Sequence, residues 1–320
     1  MAEQLIDQEL LSLLRSVDTP TVCNAIEVVQ GRHGFKGFTR STVLAANPTL
    51  PSIVGFARTA KIAGASPPVE KADVIRSRQL AYYQSMTTGE LPTVAVIEDL
   101  DYPNCVGAFW GEVNTTVHAG LGVGGALTNG VMRDLDDLAS GFQGIAGSIG
   151  PSHGFVHIVE IDFPVSVFGL LVRPSDLVHA DRHGAIVIPT ETISSLADAI
   201  AKMRAAEALI LDPAREIDFT FEKLWLLGRH SRAPEFEFLL TTEGCTCGGK
   251  KSSRGEAQKK TAFKSAHRLL SSGTAGPVPP NQTSDGLDNS RRAGDRGGSN
   301  RFSSRCRSQA VCSKVLTMSG

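Results

Sequence analysis

The chain has 320 residues, a formal net charge of −1 and 41% hydrophobic residues, which is ample for a packed core. No apolar run reaches the roughly 18 residues needed to cross a bilayer, and the acidic, amphipathic N-terminus is unlike a secretion signal. Only Cys23 and Cys105 precede residue 241, and they lie far apart, which argues against a disulfide framework. We therefore expect a cytoplasmic protein without a membrane segment.

Charge divides the chain into two parts. Residues 241–320 hold 14 of the 32 Lys and Arg residues but only 5 of the 33 Asp and Glu residues. They are rich in Gly, Ser, Pro and Arg and cannot bury enough apolar surface to offset their ordering entropy. We expect a folded domain over residues 1–240 and a basic, low-complexity disordered tail over residues 241–320. A nucleic-acid partner is not expected, because no aromatic residues alternate with the basic ones. A reading-frame change or a fusion scar would give the same composition.

The first half of the predicted domain alternates between helical and extended patterns. Helical apolar spacing occurs first in EQLIDQELLSLLRSV and then in DTPTVCNAIEVV, where Thr19-Pro20 indicates a capped helix start. A strand pattern, a helical pattern and a second strand pattern follow in SIVGFARTAKIAG, VIRSRQLAYYQSM and PTVAVIEDL.

The second half continues this alternation. GEVNTTVHAGLGVGGALTNGVMRDLDDLASG predicts a glycine-interrupted helix, a short strand with a turn, and a new helix start at Arg133. FPVSVFGLLVRPSDLVHADRHGAIVIP predicts short strands separated by turns at RPSD and DRHG. TETISSLADAIAKMRAAEALIL predicts a long amphipathic helix with Thr190 or Thr192 as its N-cap. The pattern indicates an α/β or mixed α+β domain with a central β layer.

The segment GGALTNGVMRDLDDL places an arginine and an aspartate directly after an apolar, glycine-rich run. The planar guanidinium of Arg133 matches a carboxylate in two parallel hydrogen bonds, and α/β folds bind ligands where strands end. Asp134 suits a hard cation such as Mg²⁺, which takes only one or two protein carboxylates. The alternative is a solvated helix start, in which Arg133 pairs with Asp134 or Asp137 and the aspartates stabilise the helix dipole.

A second carboxylate, Glu112 in FWGEVNT, precedes Arg133 by 21 residues. A helix and a strand between them would bring both residues to one edge of a sheet. Glu112 could then order a water molecule on a metal or act as an acid or base, and an ordinary helix-start glutamate is the alternative.

Other motifs carry less chemistry. GLGVGG near Leu121 lacks the preceding strand and the following acid of a dinucleotide site. Lys61 could form a Schiff base, although a strand-edge lysine explains it as well. Cys245 and Cys247 have no partners at zinc-ligand spacing, and HADRHG, from His179 to Gly184, is most simply a turn.

These motifs resemble the family named after the regulator of ribonuclease E activity A. The resemblance rests on GGALTNGVMRDLDDL, on the Gly-Glu pair 21 residues before the arginine, and on RPSDLVHADRHGAIVIP. It extends from about Leu10 to Arg215. The chain departs from the family at Asn24 and Asn129, where aspartate is frequent, and at the serine of RPSD, where glycine is usual. The family implies a compact α/β domain of the β/β/α swivelling type, assembled as a homotrimer or hexamer.

The resemblance also implies an activity. The family includes metal-dependent aldolases that cleave 4-hydroxy-4-methyl-2-oxoglutarate, a 4-hydroxy-2-oxo acid, to pyruvate and that also decarboxylate oxaloacetate. By correspondence, Arg133 holds the pyruvyl carboxylate or keto group and Asp134 ligates the divalent metal, which is Mg²⁺, Mn²⁺ or another. Glu112 contacts water molecules on that metal.

Further residues and two rival functions follow from the same resemblance. Gly111, Val113 and Asn114 are implied to bind the substrate anion, the last two through their backbone. Glu207 is the candidate for a glutamate that reaches the metal's water molecules from the neighbouring subunit. A non-catalytic regulator that binds a ribonuclease or helicase remains open, as does a Schiff-base aldolase using Lys61. The presence of Asp134 and Glu112 favours the metal-dependent enzyme.

Overall fold

The computed structural model describes residues 6–230, so the boundary expected at residue 240 and the tail over residues 241–320 lie outside the described residues. The helices are α1 (Gln8–Ser16), α2 (Thr19–Gln30), α3 (Ala72–Ser85), α4 (Glu112–Gly120), α5 (Leu196–Ala214) and α6 (Phe221–His230). Within this part of the chain, no helix combines the length and the apolar character that a membrane span requires.

The strands of the described part form three sheets. They are β1 (Leu44–Ala45), β2 (Ile53–Ala63), β3 (Thr93–Asp99), β4 (Ala108–Trp110), β5 (Val123–Thr128), β6 (Val131–Met132), β7 (Gln143–Ala146), β8 (Ser148–Ile149), β9 (His157–Ile161), β10 (Val165–Val167), β11 (Leu170–Val172), β12 (Leu177–Asp181) and β13 (Gly184–Ile188). The main sheet has the order β1-β7-β5-β3-β2-β12-β13, with β9 also paired to β2. The other two sheets are the hairpin β10-β11 and the three-stranded sheet β4-β6-β8.

The main sheet is mixed. Its centre, β2-β3-β5-β7, is parallel, and its outer pairs are antiparallel. Helix α3 connects β2 to β3, and α4 lies in the connection from β3 to β5, as crossovers between parallel strands require. The α/β class expected from the sequence is therefore confirmed.

Both faces of the central strands are buried, and neighbouring residues enter different clusters. On β3, Val94 and Val96 belong to the cluster shared with the hairpin β10-β11, whereas Ala95 and Ile97 belong to the cluster that contains Tyr82 of α3 and Phe109 of β4. Such a period of two is expected of a strand between two packed layers. A third cluster joins α1, α2 and α5 to one end of the sheet.

Several sequence predictions are confirmed in detail. Helix α2 begins at Thr19, and the carboxylate of Asp18 accepts a hydrogen bond from the Thr21 N–H at 2.9 Å. Such a cap satisfies one of the N–H groups that have no partner inside the helix. The long helix predicted after residue 190 also exists, but it begins later than expected. Residues Thr190–Ser195 form 3₁₀ turns and α5 begins only at Leu196.

The predicted cap of α5 was wrong for a physical reason. The Thr192 hydroxyl donates to the Pro189 carbonyl at 2.7 Å and so does not accept from the helix N–H groups. His179, which was assigned to a turn, lies in β12 and is fully buried, and the turn is confined to the residues between β12 and β13.

Candidate functional site

The small parallel sheet brings the two predicted motifs together. Strands β4 and β6 pair in parallel with Trp110 opposite Met132, so the residues that follow each strand share one edge. The Arg133 N–H donates to the Trp110 carbonyl at 2.9 Å, which extends the pairing by one residue. Gly111 and Glu112 therefore lie beside Arg133 and Asp134, as the spacing of the motifs predicted.

Arg133 and Asp134 form an ion pair at this edge. The distance from Arg133 Nε to Asp134 Oδ2 is 3.3 Å, and the two side chains are 34% and 35% exposed. The same oxygen lies 3.4 Å from the Glu112 backbone nitrogen, which makes a weak contact with it. Because a third of each side chain is open to solvent, both remain available to a ligand.

Gly111 is required by this close approach. A Cβ atom on it would lie 2.6 Å from Asp134 Oδ2 and 3.1 Å from Arg133 Cγ. The backbone of Gly111 is extended, with φ −169° and ψ −169°, so any residue could adopt the conformation. The absence of a side chain is therefore what lets Arg133 and Asp134 pack against the start of α4.

The expected helix start at Arg133 was wrong. Asp134 has a left-handed backbone, with φ 53° and ψ 43°, and only the short 3₁₀ turn Leu135–Asp137 follows it. Aspartate is among the few residues other than glycine that adopt this conformation, at a cost of order 1 kcal/mol. Backbone strain of this kind concentrates at functional sites, where it aims a side chain.

The start of α4 supplies backbone N–H groups to the same edge. The first helical N–H groups have no intrahelical acceptor and form a ready site for an anion. Glu112 and Val113 are exposed, and the first bond that closes the helix runs from the Thr115 N–H to the Gly111 carbonyl at 3.0 Å. Glu112 makes no side-chain hydrogen bond within residues 6–230, and its carboxylate is free to act on water.

The Asn114 side chain does not reach toward this edge. Its Oδ1 accepts a hydrogen bond from the Tyr83 hydroxyl at 2.7 Å, and its Nδ2 donates to the Phe109 carbonyl at 2.5 Å. Asn114 can therefore offer a ligand only its backbone, as the resemblance implied.

The third strand of the small sheet, β8, ends at the same edge, and its position there was not predicted from the sequence. Gly150 follows β8, its N–H donates to the Met132 carbonyl at 3.0 Å, and a Cβ atom on it would lie 3.0 Å from Val131 Cγ1. Strand β8 has only two residues, which is too short for a period-two signal in the sequence.

The donor set of this edge fits a divalent metal that binds through few protein ligands. Within the described part of the chain, no group of three or more His, Cys, Asp or Glu residues could hold a metal by side chains alone, as a structural zinc site would require. Mg²⁺ instead takes one or two carboxylates and completes its shell with water and substrate oxygens. The partly exposed carboxylate of Asp134, with Glu112 on the neighbouring segment, matches that requirement.

Lys61 lies on β2 of the main sheet, and its ammonium group forms an ion pair. It is opposite Glu160 across the β2–β9 pair, with 2.6 Å between Nζ and Glu160 Oε2. The hydrogen bond to Glu160 raises the pKa of Lys61. A Schiff-base lysine needs a lowered pKa to be a nucleophile at neutral pH, so this environment opposes the second rival function.

Glu207 lies on α5 and is exposed. It makes no side-chain hydrogen bond or ion pair within residues 6–230. Its proposed action on a neighbouring subunit's site stays a prediction.

Two departures from the family occupy special positions. Asn129 Oδ1 accepts a hydrogen bond from the Asp99 N–H at 2.7 Å, and its Nδ2 donates to the Asp99 carbonyl at 3.1 Å. An aspartate there could make only the first of these bonds. Ser175, at the usual glycine of RPSD, has a left-handed backbone with φ 68°.

Comparisons with known proteins agree with this architecture. The family model described as RraA-like (Aldolase/RraA) matches residues 19–187, which is more than half of the chain. Protein DlpA of Legionella pneumophila is 26% identical over 148 residues, which are 42% of this chain and 23% of that protein. This chain therefore spans less than a quarter of the length of that relative.

Two solved structures share the fold. An uncharacterized protein from Pseudomonas syringae pv. tomato has a TM-score of 0.50 and 18% identity, over 68% of this chain and 97% of the other. A structure described as one of the novel cellulases from microbes associated with the gut ecosystem has a TM-score of 0.53 and 20% identity, over 66% of this chain and 90% of the other. At these identities the likeness concerns the fold alone.

Proposed function

This chain belongs to the RraA-like (Aldolase/RraA) family, and on that premise we propose that it is a divalent-metal-dependent carbon–carbon lyase. The proposed reactions are cleavage of 4-hydroxy-2-oxo acids to pyruvate and decarboxylation of oxaloacetate. The family contains lyases of this type and also inhibitors of ribonuclease E. Our choice between these two functions therefore rests on the residues at the candidate site.

One observation carries the proposal. Asp134 and Arg133 lie 3.3 Å apart at the edge where the start of α4 meets them, and a glycine at position 111 leaves room for the contact. A carboxylate, a guanidinium and the N–H groups at the start of α4 together suit a divalent metal and a substrate that carries both a carboxylate and a 2-oxo group. A surface that only bound a protein partner would have no need of this convergence.

The residues have distinct roles in the proposed reaction. Arg133 and the first N–H groups of α4 bind the substrate carboxylate and fix its orientation. Asp134 would hold the divalent metal, which would supply Lewis-acid stabilisation for negative charge on the 2-oxo oxygen. Arg133 adds a second positive charge. Because this charge is already in position before the reaction begins, it can stabilise the negative charge of the transition state without reorganisation.

The proton steps are assigned to Glu112. Its exposed carboxylate orders a water molecule that removes the 4-hydroxyl proton of an aldol substrate. Breaking the bond between C3 and C4 leaves the electron pair on the pyruvate enolate, and a proton from water at C3 completes the product. Oxaloacetate reaches the same enolate by loss of CO₂ and needs no base.

The proposal extends to the assembly. Glu207 is exposed and makes no side-chain hydrogen bond or ion pair within residues 6–230, which leaves its carboxylate available to a neighbouring subunit. We therefore propose that the protein acts as a homotrimer or hexamer with Glu207 completing each site. A cytoplasmic location is proposed with it.

The test uses the full chain stripped of metal with a chelator. We expect pyruvate to form from oxaloacetate or 4-hydroxy-4-methyl-2-oxoglutarate only after Mg²⁺ or Mn²⁺ is restored, as followed in a coupled assay. Pyruvate formation that is unaffected by chelation would reject the metal's role. A folded protein that forms no pyruvate with either metal, yet binds a ribonuclease or helicase, would establish the regulator instead.

A further inference from the structure

We infer that His118 and Tyr82 are positioning residues that fix the first turn of α4, and with it the backbone N–H groups at the helix start, where the Glu112 nitrogen lies 3.4 Å from Asp134 Oδ2. The inference rests on the proposed function for what that turn binds. The geometric claim, that this buried pair sets the orientation of the turn, can be tested separately.

His118 is hydrogen bonded at both ring nitrogens. It is fully buried, and its Nδ1 lies 2.6 Å from the Asn114 carbonyl oxygen. Because a carbonyl can only accept, Nδ1 carries the proton. The Tyr82 hydroxyl, 2.7 Å from Nε2, then donates to that nitrogen. One buried chain of hydrogen bonds thus runs from α3 through His118 to the first turn of α4.

The surroundings keep the imidazole neutral. Aromatic rings enclose it, the nearest being Trp110 at 4.6 Å between ring centroids. Burial lowers the pKa of His118 to about 4. At neutral pH the ring therefore holds the single tautomer that both hydrogen bonds require, and the direction of each bond is fixed.

This series of hydrogen bonds ends at the candidate site. Asn114 is the third residue of α4, and its side chain is already tied to Tyr83 and to the Phe109 carbonyl. Phe109 lies on β4, two residues before Gly111. The neighbouring tyrosines of α3 therefore fix both the carbonyl and the side chain of Asn114 relative to the strand that ends at the site.

Packing alone does not account for this arrangement. An apolar residue at position 118 would fill the same space without burying two polar nitrogens, and buried polar groups cost free energy unless they are paired. Precise placement is what hydrogen bonds add, and a binding constellation needs its groups held to within about 0.5 Å. The need to hold the first turn of α4 in one position therefore explains the buried polar pair of His118 and Tyr82.

Tyr82→Phe is the direct test, because it removes the hydroxyl and keeps the ring. We expect the KM for oxaloacetate to rise about tenfold while kcat changes less than about threefold, because the lost interaction concerns substrate binding. Thr19→Val is the matched control, because it also removes a hydroxyl that is hydrogen bonded to a buried histidine. Thr19 Oγ1 lies 3.0 Å from Nδ1 of His179, which is on β12. The control should leave both constants unchanged. A KM for Tyr82→Phe within twofold of the wild-type value would overturn the inference.

Hydrogen exchange separates this inference from the proposed function. The N–H groups of residues 115–118 close the first turn of α4, and we expect them to exchange about tenfold faster in Tyr82→Phe but at the wild-type rate in Thr19→Val. Tyr83→Phe should give a smaller increase at the same N–H groups and serves if Tyr82→Phe does not fold. Unchanged exchange in these variants would reject the positioning role. A wild-type protein without activity on either 2-oxo acid would reject only the function.

Discussion

Gly111 and Asp134 approach each other so closely that a Cβ atom on residue 111 would lie 2.6 Å from Asp134 Oδ2. The glycine lies between β4 and α4, and the aspartate follows β6 in a left-handed backbone conformation. Neither strand alone makes the site. It arises because parallel pairing places the two strand ends side by side, and the missing side chain lets the carboxylate enter the space between them.

Gly111→Ala should therefore remove activity without unfolding the protein. The new methyl group displaces the Asp134 carboxylate, whereas the extended backbone at residue 111 accepts alanine without strain. We expect a loss of kcat/KM of about 100-fold, because misplacement by about 1 Å is sufficient for that. Gly120→Ala, at the end of the same helix, is the matched control because nothing lies within 4 Å of its added Cβ. Equal activity in the two variants would contradict this account.

Asp134→Asn tests the proposed metal ligand. Asparagine tolerates the left-handed backbone as aspartate does, so the fold is retained while the charge is lost. We expect Mn²⁺ binding, followed by electron paramagnetic resonance, to weaken severely and activity to fall at least about 100-fold. Asp136→Asn, two residues further in the exposed 3₁₀ turn, should behave as wild type. Full activity and unchanged Mn²⁺ affinity in Asp134→Asn would remove the metal from this residue.

Arg133→Ala tests the proposed anion partner. We expect a loss of at least about 2–3 kcal/mol of transition-state stabilisation, the scale for removing one preorganised donor. Arg133→Lys should recover only part of it, because an ammonium group cannot reproduce the planar fork. Arg182→Ala, exposed between β12 and β13, is the control for a lost surface charge. A change of only twofold in kcat/KM for Arg133→Ala would count against the assignment.

The buried His118 predicts how stability depends on pH. Its pKa is lowered from 6.5 to about 4 in the folded chain, so the unfolded chain binds more protons between these values. The stability contributed by neutral His118 is present above about pH 6.5 and is lost as pH falls, by about 2 kcal/mol between pH 7 and pH 5. The titratable groups that face the ring, Tyr82 and Tyr83, stay protonated throughout this range because burial raises the pKa of each.

Chemical denaturation at pH 7 and pH 5 measures this effect. The difference between the two pH values should be smaller in His118→Gln than in the wild type, since glutamine does not titrate. Among the residues whose burial is described, His179 is the other buried histidine, and it is present in both proteins and cancels in the comparison. The same difference in both proteins would show that His118 does not titrate as described.

Lys61→Gln separates the metal-dependent reaction from a Schiff-base reaction. Because Lys61 is paired with Glu160 at 2.6 Å and has a raised pKa, we expect no adduct with pyruvate after borohydride treatment. The variant should retain its activity and its sensitivity to chelation. A borohydride-trapped pyruvate on Lys61 would reverse this conclusion.

The order of the elements could be predicted because their local signals agree with the fold. The capped helix start at Thr19-Pro20 and the apolar run of β3 could be recognised from local patterns alone. The left-handed Asp134 could not be predicted, because the spacing of Leu135 and Leu138 also suits a helix. That backbone conformation depends on contacts with Gly111 and Glu112, which are more than twenty residues away in the chain.

The site could be predicted only in part, because some of its residues show a local pattern and others depend on tertiary contacts. The types and spacing of Arg133, Asp134 and Glu112 indicated a shared edge, and the parallel pairing of β4 and β6 confirms it. His118 was missed because a single histidine on an apolar helix face has no distinguishing pattern. Its role becomes visible only when Tyr82 of α3 is found opposite its Nε2.

The central claim is that Asp134 and Arg133 support a pyruvate enolate, and proton exchange on pyruvate tests it without knowledge of the physiological substrate. The full chain is placed in D₂O with pyruvate and Mg²⁺, and loss of the methyl proton signal is followed by nuclear magnetic resonance. We predict exchange well above the protein-free rate, abolished by chelation and by Asp134→Asn but not by Asp136→Asn. Exchange no faster than the protein-free rate, or equally fast in Asp134→Asn, would contradict the account.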